Sequence, residues 1–100
     1  MTKRGGWVHI LANRAHGVLY VGVTADLHAR LAQHSNGAGS RFVTRYGLDR
    51  LVCAEHYNRV EDAIAREKQL KNWRREWKID LIEAANPEWR DLRDQLVLRR

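Results

Sequence analysis

Residues 7–24 read WVHILANRAHGVLYVGVT, and this stretch decides the fold. Trp7 to Ala12 and Val18 to Thr24 are rich in β-branched and aromatic residues, while Asn13-Arg14-Ala15-His16-Gly17 between them is turn material. That spacing predicts an antiparallel hairpin with a turn of about four or five residues. With Ala12 opposite Gly17, His9 lies across from Tyr20. Alternation then sends Val8, Ile10, Ala12, Leu19, Val21 and Val23 to one wholly apolar face. Trp7, His9, Leu11, Val18, Tyr20 and Gly22 share the other, which has room for polar chemistry.

Working outward, Asp26 to Ser35 (DLHARLAQHS) has helical spacing, with Thr24 as N-cap, Asp26 in the first turn and Asn36-Gly37 as the stop. Leu27 and Leu31 mark its buried stripe, and Arg30 and His34 stand one turn apart beside it. After a flexible Gly37–Ser40 loop, Arg41 to Tyr46 reads as a short helix and Leu51 to Tyr57 as a third strand. Asn58 and Glu61 form a capping-box pattern for a helix from Val60 to Lys71, its apolar face drawn from Ala63, Ile64 and Leu70. Trp73, Trp77, Leu81 and Ala84 continue in a separate helix after a break near Asn72, which Asn86-Pro87 ends. Asp91 to Leu98 forms a last short helix. Strand, strand, helix, strand, helix, helix is an α+β order, here a single domain over 1–100 with its core at about 7–92.

Composition narrows the function. The 100 residues carry 18 basic and 12 acidic side chains, a net charge of +6, and 44% are hydrophobic, too many for a disordered tail. A single cysteine, Cys53, excludes an internal disulfide and a cysteine-rich zinc site, and its apolar strand setting reads as core. No apolar run approaches a membrane span, and no signal-peptide core is visible, so a soluble cytoplasmic protein is expected. Residues 1–50 hold seven basic and two acidic groups, and Arg66 to Lys78 holds six basic and two acidic ones. Clustering of this kind suits a polyanion, whose counterions are released on binding. A solvated helix face is the plainer account of the same charges.

The five histidines show no zinc spacing, and there is no Gly-rich phosphate loop. Phosphodiester hydrolysis needs an activated water, a counter-charge for the transition state and usually a divalent metal. His9, Tyr20, Arg30, His34 and Glu67 supply the residue types for that chemistry.

The strand pair WVHIL and LYVGVT, then Asp26-Leu27-x-x-Arg30-Leu31-x-x-His34, then Ala65-Arg66-Glu67-Lys68-Gln69-Leu70-Lys71 with Trp73 and Arg74, resembles the GIY-YIG nuclease superfamily. The resemblance is to its small single-domain branch, whose members often end in Asn-Pro-x-Trp, here Asn86-Pro87-Glu88-Trp89. It covers about Trp7 to Leu92. It implies a three-stranded antiparallel sheet flanked by helices and Mg²⁺- or Mn²⁺-dependent cleavage of DNA strands. By position in the motifs, Tyr20 positions or deprotonates the attacking water, Arg30 stabilises charge on the scissile phosphate, and Glu67 binds the metal. His34 matches a histidine that assists near the nucleophile in some restriction-enzyme members. Arg66, Lys68, Lys71, Arg74, Arg75 and Lys78 would hold the DNA backbone.

Two departures stand out. The first signature normally ends in tyrosine, whereas Trp7-Val8-His9 puts a histidine there, a residue that titrates near neutrality and serves as a general base or leaves the site weak. Repair-type members carry a lysine where this chain has Val23. Asn86 is weighed as the counterpart of an asparagine that some members place near the metal. The chain is too short for an added recognition domain, so low sequence specificity or structure-dependent cleavage is expected, with branched or damaged DNA among the substrates. A nucleic-acid-binding module without turnover is the alternative. Structural readings stay open beside these: Arg30 stands one turn from Asp26, Glu67 one turn from Lys71, and Gly22 offers close packing against the first helix.

Overall fold

The computed structural model describes residues 5–35 and 41–98, and of residues 34, 35 and 96–98 the backbone alone. Its elements run β1 (Gly6–Ala12), β2 (Leu19–Thr24), α1 (Leu27–Ser35), α2 (Arg41–Tyr46), β3 (Arg50–Tyr57), α3 (Val60–Asn72), α4 (Arg75–Ala85) and α5 (Arg93–Leu98). The strands form one antiparallel sheet in the order β2-β1-β3, as expected for an α+β domain of this kind. The expected stop at Asn36-Gly37 and the Gly37–Ser40 loop lie outside the described residues.

The hairpin register differs from the expected one by two residues: Ala12 faces Leu19, and His9 faces Gly22. Asn13 is the cause. Its Oδ1 accepts the Val18 N–H at 2.9 Å while the Gly17 N–H bonds to the Arg14 carbonyl, so Val18 joins the turn. A shift of two preserves the alternation of faces, and Tyr20 becomes the diagonal neighbour of His9.

Each sheet face has its own core. Val8, Ile10, Ala12, Val21 and Val52 pack with Ala63 and Leu70 of α3, Ile82 of α4 and Trp89. On the opposite face Leu11 and Leu51 pack with Leu27 and Leu31 of α1, Val43 of α2 and Leu48. The face expected to be mixed is therefore filled at its Leu11 end. Ile64 and Trp77, assigned to apolar stripes, are exposed at 38% and 47%. Ala63, Leu70 and Ile82 carry the contacts instead.

Two caps also differ. Asp26, not Thr24, caps α1: its Oδ1 accepts the Ala29 N–H at 3.1 Å, and Thr24 Oγ1 accepts the Asp26 N–H at 3.1 Å. The capping box before α3 does not form. Arg59 is the N-cap residue, without a side-chain cap, and its guanidinium pairs with Glu61 at 3.1 Å.

The Asn86-Pro87-Glu88-Trp89 segment is a seal on the outer edge of β3. Pairing of β1 with β3 slips between Ile10 and Leu11, leaving Val52 as the extra residue of a bulge. The Val52 carbonyl accepts from Asn86 Nδ2 at 3.2 Å, and the same amide bonds the Arg90 carbonyl at 2.9 Å and, through Oδ1, the Arg90 N–H at 3.0 Å. Asn86 is buried and bonded to protein through both its amide nitrogen and its oxygen, a structural role at the β3 edge. Farther along, Leu51 accepts from the Leu92 N–H at 2.8 Å and donates to Asp91 Oδ1 at 3.3 Å.

Asp91 is also held by Arg93. Burial alone would raise its pKa, but hydrogen bonds from the Arg93 side chain, the Arg93 N–H and the Leu51 N–H outweigh that and hold it below the ordinary value. A carboxyl lowered in the folded state stabilises above its unfolded pKa of about 3.9 and loses that contribution as pH falls through the folded value. The urea midpoint should therefore drop on acidification below about pH 4, and Asp91→Asn should flatten that slope while lowering the neutral-pH midpoint. A wild-type slope retained in the variant would contradict this.

Candidate active site

His9 sits at the centre of the sheet, paired with Gly22 on β2 and Ala54 on β3, and is 0% exposed. Tyr20 approaches from the diagonal, its ring centroid 6.4 Å from the imidazole at an interplanar angle of 49°. Both rings lean over Gly22. A Cβ at that position would come within 3.0 Å of His9 Cε1, His9 Nε2 and Tyr20 Cε2. The absent side chain thus makes room for these two rings, and not for α1 as the sequence reading had it. Gly22→Ala should cost about 1–3 kcal/mol by overpacking and displace both rings, readable as a loss of stability with a changed tyrosine fluorescence.

Tyr20 is half-buried and lies against the core cluster that holds Leu27 and Leu31. Arg30 flanks those leucines on α1 and is likewise half-buried. The Asp26 carboxylate is engaged at the helix cap, where Oδ1 accepts the Ala29 N–H. His34 lies in the last turn of α1, and its side chain is outside the described residues. A cavity of about 540 Å³ lies among Trp7, Ala54, Asn86, Arg90 and Leu92, and His9, Tyr20, Arg30 and Glu67 do not line it.

Glu67 comes from the other side. On α3, Ala63 and Leu70 are buried against the sheet at i and i+7, and Glu67 falls between them at i+4. Helical periodicity calls for an apolar residue there. The carboxylate is 13% exposed and its Oε2 meets Lys71 Nζ at 2.6 Å, with Lys71 at 53%. Tyr20 thus packs on the α1–α2 side of the sheet, whereas α3, which carries Glu67, packs on the other.

Among the described residues no three His, Cys, Asp or Glu side chains group closely enough to cage a metal. A lone carboxylate already in contact with a cationic group does fit Mg²⁺ or Mn²⁺ of the kind that keeps several waters and borrows substrate oxygens. It does not fit zinc.

The predicted DNA-contact cations divide. Lys68 and Arg74 are exposed, Arg74 lying 5.5 Å over the Trp77 ring, and Lys78 is half-buried. Lys71 faces Glu67. Arg66 is an internal clamp: it grips Glu55 at 3.0 and 3.3 Å, donates to Gln69 at 2.7 Å and lies 5.1 Å over Trp73. Arg75 ties α4 to the hairpin turn by donating to the His16 and Gly17 carbonyls at 2.7 and 2.6 Å. Neither clamp was visible in the sequence, since both partners lie far along the chain. Cys53 is a core thiol: burial first, then the Glu55 charge, pushes its pKa up to about 11.

The GIY-YIG catalytic domain matches residues 5–80. A UPF0213 protein of Photorhabdus laumondii is 33% identical over 76 residues, covering 76% of this chain and 73% of the relative. A UPF0213 protein of Staphylococcus epidermidis is also 33% identical, over 67 residues, covering 67% of this chain and 82% of the relative. The solution structure of a UPF0213 protein from Bacillus halodurans superposes with a TM-score of 0.56 at 26% identity, covering 89% of this chain and 94% of that one.

Proposed function

The chain belongs to the GIY-YIG catalytic domain family, and from that premise we propose that it is a divalent-metal-dependent endonuclease that hydrolyses DNA phosphodiester bonds. Its expected specificity is for DNA structure, branched or damaged sites included, with little preference for sequence. The observation that carries this reading is Glu67. A fold that needed only packing would place an apolar residue between Ala63 and Leu70, because a carboxylate there gives up solvation for one lysine contact.

In this reading Tyr20 orients the attacking water through its hydroxyl, since it is the reachable member of the ring pair. His9, sealed beneath it, fixes the Tyr20 ring over Gly22. Arg30 grips the non-bridging oxygens of the scissile phosphate as charge builds on them. Glu67 would hold Mg²⁺ or Mn²⁺ once Lys71 swings away; the ion supplies Lewis-acid stabilisation of the phosphoryl oxygens. Lys68, Arg74 and Lys78 hold the DNA backbone. No helix among the described residues is long and apolar enough to cross a membrane.

The burial of His9 favours one second reading, a nucleic-acid-binding module without turnover, because a fully enclosed imidazole cannot take over the water-side work of the family tyrosine. Supercoiled plasmid incubated with Mg²⁺, with Mn²⁺ and with excess chelator separates the two. Nicking that chelator abolishes is expected. Salt-sensitive binding with no nicking under either metal would establish the module instead.

A further inference from the structure

The short helix α2 carries two exposed aromatic rings beside Tyr20. Phe42 and Tyr46, one turn apart, are 42% and 41% exposed while Val43 between them is buried. Their ring centroids are 4.8 Å apart, and Phe42 lies 6.1 Å from the Tyr20 ring at 31°. The three rings form a ladder from the candidate site to the surface. Arg41 and Arg45 flank it, both exposed, with the Arg45 guanidinium 5.7 Å over Tyr46, and α2 contains no acidic residue.

Two exposed rings cost solvation that a connector need not incur. The patch carries two arginines and no carboxylate, so its partner must bring the negative charge. Planar heterocycles linked by phosphates match it well: bases stack on the rings and the arginines meet the phosphates. Bases inside a duplex already stack on their neighbours and offer only edges in the grooves, so the patch suits unpaired nucleotides.

The geometry points to the Phe42–Tyr46 face of α2 as a stacking site for unpaired nucleotides, with Arg41 and Arg45 on the adjoining phosphates. The inference rests on the endonuclease reading only for its orientation, since the ladder leads such a strand to Tyr20. It places the scissile phosphate beside a segment whose bases are out of the helix.

Binding without cleavage keeps the two readings apart. The full chain is titrated in excess chelator, by fluorescence anisotropy, against a labelled 12-nucleotide oligothymidine and a duplex of the same length. Replacing both rings with leucine (Phe42→Leu with Tyr46→Leu) keeps apolar bulk and removes the π faces. The expected result is about 10-fold or greater weakening on the single strand, the scale for losing one or two stacked bases, with duplex affinity changed less than about threefold. Phe42→Trp with Tyr46→Trp should restore single-strand binding. Single-strand affinity unchanged in the leucine pair, an equal loss on both DNAs, or no single-strand binding by the wild type would each overturn the proposal. Absence of plasmid nicking would bear on the nuclease reading alone and leave this measurement intact.

Discussion

Glu67→Gln is expected to reduce plasmid nicking by about 10²-fold or more while leaving the folded state at least as stable as the wild type. The activity figure is the scale for deleting one preorganised charge aimed at a transition state. The stability expectation follows from the seam. Glutamine keeps the volume between Ala63 and Leu70, removes a charge from a position 13% exposed, and releases Lys71, which is 53% exposed and hydrates at little cost. If Glu67 existed only to pair with Lys71, the signs would reverse: stability would fall by a few tenths of a kcal/mol, as for a helical i, i+4 pair, and nicking would not change. Urea denaturation and the nicking assay on one preparation read both signs together.

The second large effect concerns the fold. Trp89→Ala should destabilise by about 3–5 kcal/mol, out of a total of about 5–15 for a domain of this size. Trp89 is 2% exposed, donates from Nε1 to Glu83 at 2.7 Å, stacks at 5.1 Å on His16 and gives its carbonyl to Arg50 at 3.1 Å. It also holds φ at +56°, so the turn is shaped around this residue. Removing the indole opens a cavity in the α3–α4 core and leaves Glu83 holding only His16. Thermal unfolding should shift down by roughly 15 °C or more, at about 4–8 °C per kcal/mol for this chain length. A shift of a few degrees would show that the 86–92 segment docks without contributing to the core. Phe in place of Trp89 should recover most of the packing and none of the Glu83 bond.

How much was legible beforehand depended on how local the signal was. Period-two alternation in residues 7–24 gave both sheet faces correctly, because any even register error preserves it. The register itself turned on one side chain, Asn13, closing on Val18 across the turn, which propensity does not reveal. Caps failed for a similar reason: Asp26 and Thr24 are both good caps two residues apart, and only the hydrogen bonds choose between them. The Arg66 and Arg75 clamps looked like surface charge because their partners, Glu55 on β3 and the carbonyls of the hairpin turn, are brought close only by the fold. The same holds for Asn86, whose role depends on a bulge at Val52 that no sequence pattern announced. Of the candidate site, the packing of Tyr20 and of α3 on different sides of the sheet was not legible, and neither was the enclosure of His9.

On the proposed mechanism this chain cuts DNA through Arg30 and Glu67. The most direct test is a nicking time course with Mn²⁺ on supercoiled plasmid, comparing wild type, Arg30→Ala and Glu67→Gln purified side by side and matched for DNA binding in chelator. Steady conversion to nicked circles is expected with the wild type, and none above background with either variant. Equal rates in all three would contradict that mechanism.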